Sequence, residues 1–203
     1  MSAAACWEEN EPQLPAEIVD VLEASNDESL TALELLVAIP EWEVDLPGGD
    51  RPSQTDVLAI TRNDDGVVIL GVEAKVDEPF GPTLSEKREG ASAGQIERIS
   101  YPERELGCSS SLDGRIRYQL LHRTVSALLT ARAFHAHVAV MLVHSFSQNS
   151  RWREDFDAFV NAVTGIPLTK DLYELRIGDG PRLLIGWCKG AEKYLSMELP
   201  SSL

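Results

Sequence analysis

Two segments rich in apolar and β-branched residues lie on either side of one tight turn. Residues 55–61 and 67–76 are typical of strands, and the second segment contains the apolar run 67–72. Asn63-Asp64-Asp65-Gly66 lies between them and is typical of a hairpin turn. Residues 42–46 alternate between apolar and polar positions, which also predicts a strand. The pattern therefore predicts three consecutive strands, of which the last two form a hairpin.

Apolar residues at helical spacing, together with further apolar runs, predict the remaining elements. Helices are predicted over 15–24, 28–39, 91–105, 115–134 and 152–163, and strands over 136–144, 172–177 and 183–187. In the second helix, Leu30, Leu33 and Val37 share one face, and Pro40 marks the end. Strands in a row, then helices, then a buried strand predict an α/β (α+β) fold with a mixed central sheet flanked by helices.

Charge is distributed unequally along the chain. The net charge is −15, and residues 1–50 hold 13 acidic side chains and no lysine or arginine. The other 153 residues carry 18 basic against 20 acidic side chains. We therefore predict an acidic N-terminal extension over residues 1–27, poorly ordered over 1–13, and a single domain over residues 28–203. The acidic segment can be a solvated surface, a partner surface or a nucleic-acid mimic that covers a basic groove.

The cysteines and the N-terminus indicate a cytoplasmic location. Cys6, Cys108 and Cys188 are odd in number and far apart, which favours free thiols in a reducing compartment. The N-terminus lacks the basic segment of a secretory signal. No apolar run reaches the roughly 18 residues that cross a membrane. We expect a cytoplasmic protein with no membrane partner.

The register of the hairpin brings three charged residues together. If the loop is Asp64-Asp65, Asp56 lies opposite Glu73, and if the loop is shifted by one residue, Asp56 lies opposite Lys75. Glu73 and Lys75 are two residues apart and share a face in either case. A bulge or an odd-length loop would move Asp56 to the other face. Charged residues that follow an apolar run are costly to bury unless they are paired or bind a ligand.

Two interpretations of this cluster are open. It can be a cross-strand salt bridge, although a single lysine does not neutralise two close carboxylates and a divalent cation does. Carboxylates suit Mg²⁺ or Mn²⁺, which clamps a phosphate and activates a water molecule. A lysine beside the metal can stabilise the developing charge. The cluster therefore predicts hydrolysis of phosphodiester bonds, with Asp56 and Glu73 as metal ligands and Lys75 assisting the attacking water.

The motif that carries this chemistry resembles a known signature. Thr55-Asp56, followed after 16 residues by Glu73-Ala74-Lys75, resembles the PD-(D/E)xK motif of restriction-endonuclease-like nucleases, with Thr55 in the place of the proline. The resemblance covers roughly residues 28–145 and implies a restriction-endonuclease-like core. It also implies that the acidic residues bind Mg²⁺ and that the lysine assists catalysis. The wider sequence is similar to a bacterial family grouped with these nucleases, which implies no particular substrate.

Five further residues are candidates for the site. The resemblance implies a glutamate from the first core helix as an additional metal ligand, a role that Glu34 would fill, and a catalytic glutamine, which Gln95 would supply. The tyrosine that accompanies this glutamine is replaced by Ile99. Basic and amide side chains at i+3 and i+4 spacing on the long helix are candidates for nucleic-acid contact, namely Arg115, Gln119 and Arg123. A solvated helix face explains these three equally well.

We carry three hypotheses from the sequence. The first is a metal-dependent nuclease that acts on DNA or RNA, with DNA as the favoured partner and a homodimer as one arrangement for cutting two strands. The second is a catalytically inactive protein of the nuclease fold that serves as a binding or assembly module, and the negative net charge favours it. The third, compatible with the first, is self-inhibition by the acidic N-terminal segment. His135 and His137 lack a third ligand and do not predict a zinc site.

Overall fold

A computed structural model describes residues 2–196, in which a seven-stranded mixed sheet carries helices on both faces. The strands are β1 (Glu34–Val44), β2 (Ser53–Asn63), β3 (Gly66–Lys75), β4 (Val138–Ser145), β5 (Ile166–Pro167), β6 (Leu172–Leu175) and β7 (Arg182–Lys189). The helices are α1 (Ser2–Asn10), α2 (Ala16–Glu23), α3 (Leu84–Arg88), α4 (Ala93–Glu105), α5 (Tyr118–Ala133) and α6 (Arg153–Ala162). Within this part of the chain, no helix combines the length and apolar character needed to span a bilayer.

The sheet has the order β1-β2-β3-β4-β7-β6-β5. The first three strands are antiparallel neighbours, β3, β4 and β7 are parallel, and the last three are again antiparallel. Most residues of β3 and all residues of β4 are buried, because helices cover both faces of these central strands. This arrangement confirms the predicted mixed sheet flanked by helices.

Each face of the sheet has its own hydrophobic core. On one face, α4, α5 and α6 pack over side chains such as Ile69, Met141 and Ile185. On the other face, α1 and α2 pack over the alternate residues, among them Leu70 and Leu142. Because neighbouring residues of a strand point to opposite faces, Glu73 and Lys75 belong to the α5 face, and Ala74 belongs to the α1 and α2 face.

The N-terminal segment is part of the folded domain. Residues 1–13 were predicted to be poorly ordered, and this prediction is wrong for the nine residues of α1. Cys6 and Trp7 are buried against the sheet, as are Ile18 and Leu22 of α2. Alanine and tryptophan side chains on one side of α1 supply enough apolar surface for docking, despite the acidic composition. The predicted boundary at residue 27 therefore does not separate the extension from the core.

The second predicted helix, over residues 28–39, is wrong. Residues 28–30 form a single 3-10 turn, and residues 34–44 form the edge strand β1, which pairs with β2 and carries a bulge between Leu35 and Val37. The spacing of the leucines suits a helix, but pairing with β2 outweighs that local preference. Pro40 does not end a helix. It lies within an edge strand, a position in a sheet that tolerates proline.

The predicted strand over 42–46 overlaps only the end of the longer strand β1, and the remaining predicted elements are confirmed to within a few residues. These are α2, α4, α5, α6 and the strands β2, β3, β4, β6 and β7. The predicted loop over residues 77–90 contains one additional short helix, α3.

Candidate active site

The β2–β3 hairpin has the first of the two predicted registers. Asn63 pairs with Gly66 across the Asp64-Asp65 loop, and the ladder continues to Val57 opposite Val72. The next position would place Asp56 opposite Glu73, as predicted. Instead of continuing the ladder, the Asp56 carboxylate accepts a hydrogen bond of 2.7 Å from the backbone N–H of Ala74.

The side chains of β2 change face at Asp56. Thr55 lies beside Gly71 on the α5 face, whereas Val57 belongs to the core on the α1 and α2 face. On β1, Pro40 pairs with Val57 and Trp42 pairs with Thr55. Glu41 lies between them and has a positive φ of 54°. This irregularity at the end of the ladder turns the Asp56 carboxylate toward the β3 backbone.

Glu73 is the most heavily bonded residue of the cluster. It is 2% exposed, and its carboxylate accepts from three donors on two elements. Oε1 accepts from Lys75 Nζ at 2.8 Å and from Gln119 Nε2 at 2.5 Å, and Oε2 accepts from Arg123 Nε at 2.6 Å. The buried charge is therefore compensated on all sides, as a buried carboxylate requires.

The donors on α5 reach Glu73 because the helix lies close to β3. A Cβ atom added at Gly71 would lie 3.1 Å from the Cβ of Ala127, so a small residue is needed on each side of this contact. Arg123 is held in turn by Ser53, whose hydroxyl accepts from Arg123 Nη1 at 2.9 Å. The same hydroxyl lies 2.7 Å from Nδ1 of His122. Burial lowers the pKa of His122 well below its ordinary value, so this histidine is neutral behind the arginine.

Lys75 is held between Glu73 and an aromatic ring. It is 5% exposed, its Nζ lies 5.5 Å from the centre of the Phe80 ring, and Glu78 is 4.0 Å away. The ammonium is therefore fixed before any ligand arrives.

Burial raises the pKa of Asp56 to about 6, and the charge of Glu73 contributes in the same direction. The N–H of Ala74 and the charges of Arg123 and Lys75 oppose this change without cancelling it. Two carboxylates that disfavour each other's ionisation are a suitable environment for a cation.

Asp56 and Lys75 line a cleft of about 660 Å³ between α1 and the ends of β1, β2 and β3. One wall is apolar and includes Trp7, Leu36 and Val37. The rim carries four glutamates, Glu8, Glu11, Glu41 and Glu78. The cleft gives a ligand access to Asp56, but its rim repels anions.

The donor set of Asp56 and Glu73 fits a hard divalent cation. Oδ1 of Asp56 has no hydrogen-bond partner among the described residues, so it is available as a ligand. Both oxygens of Glu73 are occupied by hydrogen-bond donors, and Glu73 would have to exchange at least one of them to bind a metal. Carboxylate oxygens are the ligands that Mg²⁺ and Mn²⁺ prefer.

The structure does not bring every predicted residue to this site. Glu34 is 62% exposed and pairs with Arg62, which lies six residues from Asp56 along β2, or about 20 Å. Its assignment depended on the helix that is absent from residues 34–44. Gln95 is exposed at the start of α4, where its side chain accepts from the N–H of Ser92 in a capping box. Arg115 pairs with Asp113 at the surface.

The sequence identified Gln119 and Arg123 but not their role. They were predicted as nucleic-acid contacts, and their side chains instead hold Glu73. Ser53 and His122, which support Arg123, were not assigned to the site. The only signal available was the i+4 spacing of Gln119 and Arg123, which places them on one face of α5 without naming a partner.

Comparison with known proteins gives a family without an activity. A family model described as a domain of unknown function (DUF6946) matches residues 1–192. No curated protein and no solved structure matches the chain.

Proposed function

The chain belongs to the DUF6946 family, a domain of unknown function, and from its site we propose that it is a metal-dependent phosphodiesterase acting on nucleic acid, with DNA as the first candidate. The observation that carries this proposal is the cluster at the end of β2 and β3. Asp56 and Lys75 both open to one cleft, and Glu73 lies within hydrogen-bond distance of Lys75. The cluster combines two oxygen ligands with one fixed ammonium group.

Each residue has a distinct role in this proposal. Asp56 and Glu73 would hold Mg²⁺ or Mn²⁺, which supplies Lewis acidity and activates a bound water when present. Above pH 6 Asp56 is ionised, which a metal ligand requires. Lys75 would stabilise negative charge on the phosphate, and its fixed position avoids reorganisation during the reaction. Gln119 and Arg123 position Glu73 from behind.

The proposal is tested by cleavage assays with Mg²⁺ and Mn²⁺ on duplex, single-stranded and branched DNA and on RNA. We expect cleavage by the natural protein and its loss in Asp56→Asn. Asp45→Asn is a matched control because Asp45 is exposed just beyond β1. Circular dichroism checks that each variant is folded. If the natural protein cleaves none of these substrates, the proposal is wrong.

A second function is favoured by one specific observation. The charges of Asp56 and Glu73 are already matched by Lys75 and Arg123, so the cluster is electrically balanced without a metal. The acidic rim of the cleft also repels anionic ligands such as nucleic acid. A nuclease fold that has become a binding or assembly module would have these properties. Calorimetry separates the two, because the module predicts no binding of Mn²⁺ at millimolar concentration and a protein partner in pull-down experiments.

A further inference from the structure

A second group of potential ligands lies on the opposite face of the sheet from Glu73 and Lys75. Cys6 of α1, Glu17 of α2 and His144 of β4 each offer one ligand atom, and these atoms lie within 4.8 Å of one another. Cys6 and His144 are wholly buried, and Glu17 is largely buried. These three side chains therefore lie close enough together to hold one metal ion.

Two of the three separations between these atoms match a tetrahedral zinc site, and the third is at most 4.8 Å. Zinc binds sulfur at about 2.3 Å and nitrogen or carboxylate oxygen at about 2.0–2.1 Å. Tetrahedral angles then place nitrogen and oxygen about 3.3 Å apart, and sulfur and oxygen about 3.5 Å apart. In the structure, His144 Nε2 lies 3.3 Å from Glu17 Oε1, and Cys6 Sγ lies 3.5 Å from the same oxygen. The nitrogen–oxygen separation exceeds the usual length of a hydrogen bond.

The charges and the burial also favour a divalent cation. A thiolate, a carboxylate and a neutral imidazole together carry two negative charges, so a Zn²⁺ ion makes the buried group neutral. Without an ion, Nε2 of the buried His144 ring has only the 3.3 Å contact with Glu17, and Nδ1 has no hydrogen-bond partner among the described residues. A metal ion on Nε2 would replace that long contact with a ligand bond and would leave Nδ1 as it is.

We propose that Cys6, Glu17 and His144 form a zinc site that fastens α1 and α2 to the central sheet. Sulfur, nitrogen and oxygen ligands select zinc over the magnesium class, so this site is chemically distinct from the Asp56 cluster. It also bears on the cleft, because α1 supplies one of the cleft walls. The zinc ion fixes the position of that wall. Cys188, whose Sγ lies 3.2 Å from the carbonyl oxygen of Glu17, stands beside the site.

The test is metal loading of the purified protein. After chelation and dialysis, we expect the full chain to bind one Co²⁺ with a thiolate charge-transfer band and the visible bands of a tetrahedral ion, and Zn²⁺ to displace it. Cys6→Ser should lose the charge-transfer band, and Glu17→Gln should weaken binding. Cys108→Ser and Asp45→Asn should retain the spectrum, because neither residue belongs to the group.

Two further measurements use the natural protein, so they test the proposal even if a variant does not fold. In the natural protein, zinc at about a hundredfold excess over its Kd should raise the ratio of folded to unfolded protein about a hundredfold. It should also slow hydrogen exchange in α1. Cobalt uptake without a thiolate band, no uptake at all, or a band that persists in folded Cys6→Ser would each overturn the proposal.

Discussion

Replacing Asp56 by asparagine should stabilise the metal-free protein while removing its metal site. Asparagine has nearly the same shape as aspartate and keeps an oxygen that can accept the N–H of Ala74. It removes a partly buried negative charge. Because the fold raises the pKa of Asp56 from 3.8 to about 6, ionisation of this carboxyl costs the folded state about 3 kcal/mol at 1.36 kcal/mol per pH unit. The variant is free of that cost.

Because the pKa of Asp56 is raised in the folded state, the stability difference between the two proteins depends on pH. The folded protein holds the Asp56 proton more tightly than the unfolded chain, so this group's contribution is present below about pH 4 and lost as pH rises through 6. The free energy of unfolding of the two proteins should therefore be similar at pH 4. At pH 7.5 Asp56→Asn should be more stable by about 3 kcal/mol, as an order of magnitude.

Urea denaturation at pH 4, 6 and 7.5 measures this difference directly, and Asp45→Asn serves as the control with no change. Adding Mn²⁺ at pH 7.5 should reverse the order, because only the natural protein gains binding energy. An Asp56→Asn protein that is less stable than the natural one at pH 7.5, or a difference that does not change with pH, would refute the reasoning.

Three further predictions concern the same site. Arg123→Ala should destabilise the protein by about 3–5 kcal/mol in urea denaturation, because the buried carboxylate of Glu73 loses a charged partner. The double variant Glu8→Gln/Glu11→Gln should raise the affinity for a phosphate-bearing ligand several-fold at low salt, an effect that fades at high salt, since both residues lie on the cleft rim. Mn²⁺ affinity, measured by calorimetry, should fall about tenfold per pH unit below pH 6, because Asp56 must lose its proton to bind the ion.

Matched controls accompany these predictions. Arg115→Ala should have no measurable effect on stability, because Arg115 pairs with Asp113 in solvent. Glu89→Gln/Glu154→Gln removes the same charge as the rim variant from exposed positions outside the cleft. An equal change of affinity in both double variants would show that net charge acts rather than the rim. Mn²⁺ binding that is constant between pH 5 and 7 would exclude Asp56 as a ligand.

The hairpin was predictable because its determinants are local. A two-residue turn between two strands restricts the register to few choices, and the sequence of the turn lies within four residues. That restriction is what placed Asp56 opposite either Glu73 or Lys75 in the prediction. The change of face at Asp56 was not predictable, because it depends on the positive φ of Glu41 in the neighbouring strand β1.

The edge strand β1 shows why other parts of the structure were harder to predict from the sequence. Residues 28–39 satisfy a helical pattern and are followed by Pro40, and only pairing with β2 makes residues 34–44 a strand. Glu34 was misplaced for the same reason. Likewise, Arg123 is 50 residues from Glu73, and their contact depends on the close packing of Ala127 on Gly71. Periodicity indicates which face of a helix is polar, but not which distant residue lies opposite.

The charge of Arg123 changes the charge balance of the cluster from the one that the sequence indicated. A lysine alone leaves one of two carboxylates uncompensated, whereas Lys75 and Arg123 together balance Asp56 and Glu73. A divalent cation is therefore not needed to neutralise the cluster. Its arrival would instead give the cluster a net charge of about +2 at the base of a cleft whose rim is acidic. That charge is what a phosphodiester would need to pass the rim, so the proposed activity requires the metal to bind before the nucleic acid.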